Sequence, residues 1–115
     1  LWCYNNKMTD LDVAANGNLE FLDCSGNQLA RLDVSANTRL TRLLVYNNRL
    51  ASLDISHNPL LNCLWAFGNQ LGTADAENLV STLRSVSGSD FWLTEDPVSH
   101  TLKASAIEQG ATVYE

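Results

Sequence analysis

The sequence predicts an α/β-type solenoid of 21-residue rungs, and three observations carry that prediction. Asn6, Asn27, Asn48 and Asn69 recur at a fixed interval of 21 residues. Leu1, Leu22, Leu43 and Leu64 recur at the same interval, dividing the chain into rungs 1–21, 22–42 and 43–63 and a partial rung, 64–72. Within each rung, apolar residues alternate with variable ones over short stretches, as in Leu22-Asp23-Cys24 and Leu43-Leu44-Val45. A repeat of roughly 20 to 50 residues marks units that bury a hydrophobic face only by stacking on one another.

The inward set of the second rung reads Leu22, Cys24, Asn27, Leu29, Leu32, Val34, Asn37 and Leu40. The third rung matches it with Leu43, Val45, Asn48, Leu50, Leu53, Ile55, Asn58 and Leu61. Each rung therefore holds two short period-two stretches, each expected to be a strand and each followed by an Asn three residues after its second apolar residue. An inward Asn can bond with its amide the backbone groups that a tight turn leaves unpaired. Full burial of a Leu or Val contributes roughly 1.5–3 kcal/mol, so stacked rungs offset the chain entropy that one rung alone does not.

The run from Leu19 to Leu29, Leu-x-x-Leu-x-Cys-x-x-Asn-x-Leu, returns at Leu40 to Leu50 and Leu61 to Leu71 with Val and Ala replacing Cys. This pattern resembles the leucine-rich repeat. The Leu-x-x-Leu-Asp-Val-Ser-x-Asn stretch at Leu29 to Asn37, with its counterpart at Leu50 to Asn58, is similar to the 21-residue bacterial variety found in internalin-type surface proteins. The resemblance covers residues 1 to about 72. It implies a right-handed solenoid with a parallel β-sheet, used for binding other molecules and without chemistry of its own. It also implies an extracellular or cell-surface location, although no export signal stands in this sequence.

Residues 73–115 read as a C-terminal α/β cap that closes the core. Thr73 or Asp75 can cap a helix running to about Val86, with Leu79, Leu83 and Val86 on one face. Ser87 to Asp90 turns the chain. Phe91-Trp92-Leu93 is strand-like, with Thr94 to Pro97 where a degenerate rung would turn, and a short helix over Ser99 to Gln109 stops at Gly110 before a last strand, Thr112 to Tyr114. At the other end the chain opens directly on a repeat strand. Residue 1 thus reads as a cut end, and an exposed first rung invites edge-to-edge self-association.

One domain is the expectation for 115 residues of which 45% are hydrophobic. A net charge of −6 excludes the clustered Lys and Arg that phosphate-backbone binding needs, so no nucleic-acid partner is expected. No run approaches the roughly 20 apolar residues of a membrane span, so no membrane insertion is expected.

Function is sought at the variable positions, which face out beside the inward Leu and Cys. Read up the stack, the first-strand columns are Trp2, Asp23, Leu44 and Trp65; Tyr4, Ser25, Tyr46 and Phe67; and Phe21, Arg42 and Cys63. Six of the nine aromatic residues lie in these columns. A contiguous exposed apolar patch marks an interaction surface, and Trp, Tyr and Arg are enriched at binding hot spots. The expected ligand-binding set is therefore Trp2, Tyr4, Phe21, Asp23, Arg42, Leu44, Tyr46, Trp65 and Phe67. A protein partner is the leading reading, since the family that the repeats resemble mostly binds proteins. A glycan stacking on the same rings is the alternative, and a structural spacer a third. Cross-strand stabilisation of the sheet, or cover by another domain, would also place aromatics here.

The second column reads Asp12, Asp33 and Asp54. Three carboxylates stacked about 4.8 Å apart repel unless something lies between them. A hard cation such as Ca²⁺ would do this, but an Asp repeated with its turn more often accepts N–H groups of that turn, so no metal is expected. Cys3 and Cys24 share an inward column with Val45 and Ala66, whereas Cys63 faces out and is the one thiol expected to react. Neither His57 nor His100 is spaced to activate it, and no phosphate loop, zinc-helix or nucleophile-elbow motif occurs. The sequence predicts no enzyme and no cofactor.

Overall fold

The computed structural model describes residues 1–72, 74–75, 78–79, 90–92 and 112–114. Five three-residue strands form one sheet in chain order: β1 (Phe21–Asp23), β2 (Arg42–Leu44), β3 (Cys63–Trp65), β4 (Asp90–Trp92) and β5 (Thr112–Tyr114). Every pairing is parallel. A parallel bridge between Trp2 and Asp23 extends the sheet beside β1.

The register follows the repeat interval: Leu22 lies opposite Leu43, and Leu43 opposite Leu64. Beyond β3 the step lengthens, with Leu64 opposite Phe91, and then Phe91 opposite Val113. In the longer β3–β4 connection, residues 74–75 and 78–79 are helical. The rest of the helix expected there, the turn before Asp90, the Thr94 to Pro97 turn and the helix over Ser99 to Gln109 lie outside the described residues.

The core is the inward set of the repeats. Leu22, Leu29, Leu40, Leu43, Leu50, Leu61 and Leu64 are fully buried, with Val34, Val45 and Leu79 among them. Asparagines join the repeats. The Asn48 amide donates to Cys24 O in the preceding repeat (3.0 Å) and to Val45 O in its own (3.0 Å), while its Oδ1 accepts the Leu29 N–H at 3.1 Å. Asn27 and Asn69 repeat this pattern one step either side.

The second expected strand is absent: Leu32–Val34 and Leu53–Ile55 belong to no strand. The carbonyls that a ladder would use there are taken by side chains. Asn37 donates to Val13 O, and Asn58 to Val34 O, each at 3.0 Å. The turn N–H groups of Asn16 and Asn37 bond those same carbonyls, each at 3.0 Å.

A further alternation runs through the turn after each first strand. Asn5, Gly26, Asn47 and Gly68 occupy equivalent positions, and all have positive φ, between 55° and 68°. A Cβ on Gly26 would collide with the Asn5 side-chain oxygen, and one on Gly68 with that of Asn47. Each Asn thus lies over the Gly of the next repeat. Gly68→Ala is expected to cost about 1–2 kcal/mol from backbone strain alone, plus a collision that Asn47→Gly partly relieves. A urea-unfolding double-mutant cycle checks the coupling; strictly additive values would show that the two positions do not share this space.

Candidate functional site

The first-strand columns hold two groups of aromatic rings. Trp2 meets Tyr4 edge-on (6.1 Å between centroids) and Phe21 at 5.1 Å, and the Arg42 guanidinium lies 5.6 Å from the Phe21 centroid. The second group is Tyr46, 6.0 Å from Trp65 and stacked on Phe67 at 4.8 Å with 11° between the planes. Trp2 and Tyr4 are exposed, at 70% and 45%. Arg42 is exposed as well, and Phe21, Tyr46, Trp65 and Phe67 are half-buried.

Two of the expected ligand-binding residues are not open surface. Asp23 is 6% exposed and Leu44 8%, and Ser25 between the two aromatic groups is 1% exposed. Asp23 and Leu44, in register beside each other, lie lower than the neighbouring rings and form the floor of a groove of ≈ 690 Å³ whose lining includes Trp2, Phe21 and Arg42. Asp23 also folds back on its own chain. Its Oδ1 accepts the Ser25 N–H at 3.1 Å and the Ser25 hydroxyl at 2.6 Å. The Asp-x-Ser spacing carried that information, because a carboxylate two residues before a Ser commonly closes such a turn.

The same spacing explains the carboxylate column of the second stretch. Asp12, Asp33 and Asp54 accept the N–H groups of Ala14, Ser35 and Ser56 at 2.9, 2.9 and 2.8 Å. Hydrogen bonds from the Ser35 and Ser56 side chains and N–H groups hold the carboxyls of Asp33 and Asp54 below their ordinary range. Among the described residues, no group of three or more His, Cys, Asp or Glu is arranged to hold a metal ion.

The thiols reverse the sequence expectation. Cys63 is buried at 7% exposure, in a strand flanked by β2 on one side and β4 on the other. Cys3 is only partly buried, and its thiol donates to Asp23 O at 3.5 Å. Burial, with Asp23 adding, raises the Cys3 pKa; Cys24 is pushed up to about 12, chiefly by burial. A bulky maleimide at mildly alkaline pH is expected to add once to the folded chain, at Cys3, and at all three cysteines after denaturation. Peptide mass mapping checks this, and labelling of Cys63 as fast as Cys3 would contradict it. His57 is exposed on its turn, with Nδ1 3.2 Å from the Ser56 hydroxyl.

Neither a known family profile nor a curated relative matches the chain. Solved structures do. The functional domain of InlJ from Listeria monocytogenes, described as including a cysteine ladder, is 45% identical over 62% of this chain, with a TM-score of 0.61. Over that stretch the chain is similar to an internalin-like leucine-rich repeat protein. The chain spans 16% of the InlJ structure. A chain of the Drosophila melanogaster SNF/U2A' complex shares the fold at 23% identity, with a TM-score of 0.63, covering 98% of this chain and 69% of that one.

Proposed function

We propose that the chain is a non-catalytic recognition module of a bacterial surface or secreted protein, and that it binds a protein partner through the aromatic face of its sheet. In this reading, residues 1–72 are 21-residue rungs of a right-handed solenoid, and residues 73–115 are its C-terminal cap. Cys3 and Cys24, one repeat apart in an inward column, are then two steps of a cysteine ladder that Val45 and Ala66 end.

The observation that carries the reading is the placement of six rings, in two groups, on one face of a rigid parallel sheet. Apolar surface of this kind on a fixed scaffold supplies binding anchors at small entropic cost. The rings also bear on the choice of partner. Tyr46 and Phe67 each use one ring face on the other, which removes faces that a sugar would stack against and leaves edges suited to a protein's side chains.

Immobilised wild-type chain is expected to retain a protein from host-cell extract that a Tyr46→Ala/Trp65→Ala variant of equal melting temperature loses. Retention by both proteins alike would place the binding surface elsewhere. Release of the retained species by free sugars would favour a glycan.

A further inference from the structure

Trp2, Asp23, Leu44 and Trp65 stand in one line across the sheet, each in register with the next. Three strand spacings separate the two tryptophan backbones by about 14 Å. Between them the floor changes from a carboxylate to an isobutyl group. Asp23 is buried at 6% exposure; Ser25 holds its Oδ1, and its Oδ2 has no hydrogen-bond partner among the described residues. Leu44 beside it is flat apolar surface at 8% exposure. Both line the groove, with Trp2 and Phe21 above them.

We propose that this trough receives one lysine or arginine side chain of the protein partner, an inference that rests on the recognition reading above and names its chemistry. A basic side chain has an apolar stem and a cationic head, and the floor offers the same two characters side by side. The stem lies on Leu44 and the head bonds the free oxygen of Asp23, pairing a carboxylate that is otherwise poorly solvated. The exposed Trp2 ring covers the head as a cation–π partner. The protein makes such a contact itself, where Arg42 lies over Phe21. Arg42 is thereby committed to that ring, and among the described residues no ion pair joins it to Asp23.

The test follows the indole and amide resonances of Trp2 and Asp23 in the ¹⁵N-labelled 115-residue chain during titration with N-acetyl-arginine amide, and separately with N-acetyl-norleucine amide, which keeps the stem without the charge. The arginine probe is expected to produce a saturable shift at both residues, with norleucine at least ten-fold weaker. Asp23→Asn, which keeps an acceptor for Ser25, is expected to weaken the arginine probe about ten-fold. Trp2→Ala, at a site 70% exposed and with folding checked by its melting temperature, is expected to weaken it several-fold. Equal response to both probes, an unchanged Asp23→Asn titration, or no response at all would overturn the proposal. The recognition reading fails separately, if the Tyr46→Ala/Trp65→Ala variant keeps every species that the wild type retains.

Discussion

Asn48→Ala is expected to destabilise the chain by about 3 kcal/mol, far more than its loss of apolar area would suggest. The reason is asymmetric. Cys24 O and Val45 O, which accept from Asn48, also accept from Asn27 and Asn69, so each keeps a partner. The Leu29 N–H, whose bond is to Asn48 Oδ1, would be left buried beside a fully buried Leu. An unpaired buried donor costs about 1–3 kcal/mol, and the lost donor bonds add about 1 kcal/mol or less each. Asn48→Asp sharpens the argument at constant shape. It keeps an acceptor for Leu29 but aims a second oxygen at two carbonyls, so its loss at neutral pH should equal or exceed that of Ala. The burden lies on the ionised form, so the variant's folded-state carboxyl pKa is raised above its unfolded value. Stability is therefore regained as pH falls through that raised pKa. Urea denaturation at two pH values reads both effects, and a loss under 1 kcal/mol for either variant would show that the Asn column is not what joins the repeats.

The column itself was legible in the sequence, because an invariant polar residue inside an apolar period has to be hydrogen-bonded to be tolerated. So was the register, since Leu22, Leu43 and Leu64 have to meet if their burial is to be continuous. What the sequence hid falls into two kinds. Asp23, Ser25, Leu44 and Cys63 obey the alternation and stand on the outward side, yet they are buried. Alternation gives direction but not height, and a short side chain between tall ones is covered. The second kind is the missing strand at Leu32–Val34 and Leu53–Ile55. Its period-two pattern is real, but the Asn37 and Asn58 amides occupy the carbonyls that a ladder needs. Periodicity reports which residues are inside, not which group satisfies the backbone.

The same distinction separates the two Asn columns. Asn27, Asn48 and Asn69 both donate and accept, whereas the Oδ1 atoms of Asn37 and Asn58 meet no donor among the described residues. One column therefore fixes both the turn and the residue after it, and the other only closes carbonyls. The two-sided column lies directly behind Tyr46 and Phe67, with the side-chain amides of Asn48 and Asn69 donating to Tyr46 O and Phe67 O. The scaffold under the aromatic face is thus the better braced of the two sides, which is what a surface of fixed geometry requires.

Leu43→Asp should have the largest effect, and its pattern tests the stacking itself. Leu43 is fully buried in β2, with Leu22 and Leu64 in register on either side. Replacing it removes roughly 1.5–3 kcal/mol of apolar burial and places a carboxyl between two leucines, where it must either stay charged without a partner or take up a proton. A total loss above about 4 kcal/mol is expected, comparable to the whole stability of many small domains. Because each repeat touches only its neighbours, the loss should not stay in β2. Native-state hydrogen exchange should show the amides of Cys24, Gly26, Val45 and Asn47, which bond from one repeat to the next, losing protection together. Loss confined to residues 42–46, with Cys3, Cys24 and Gln70 amides still protected at their wild-type level, would mean that the repeats are stable one by one. In that case stacking would not be the origin of the fold, and the aromatic columns would owe their alignment to something other than the core beneath them.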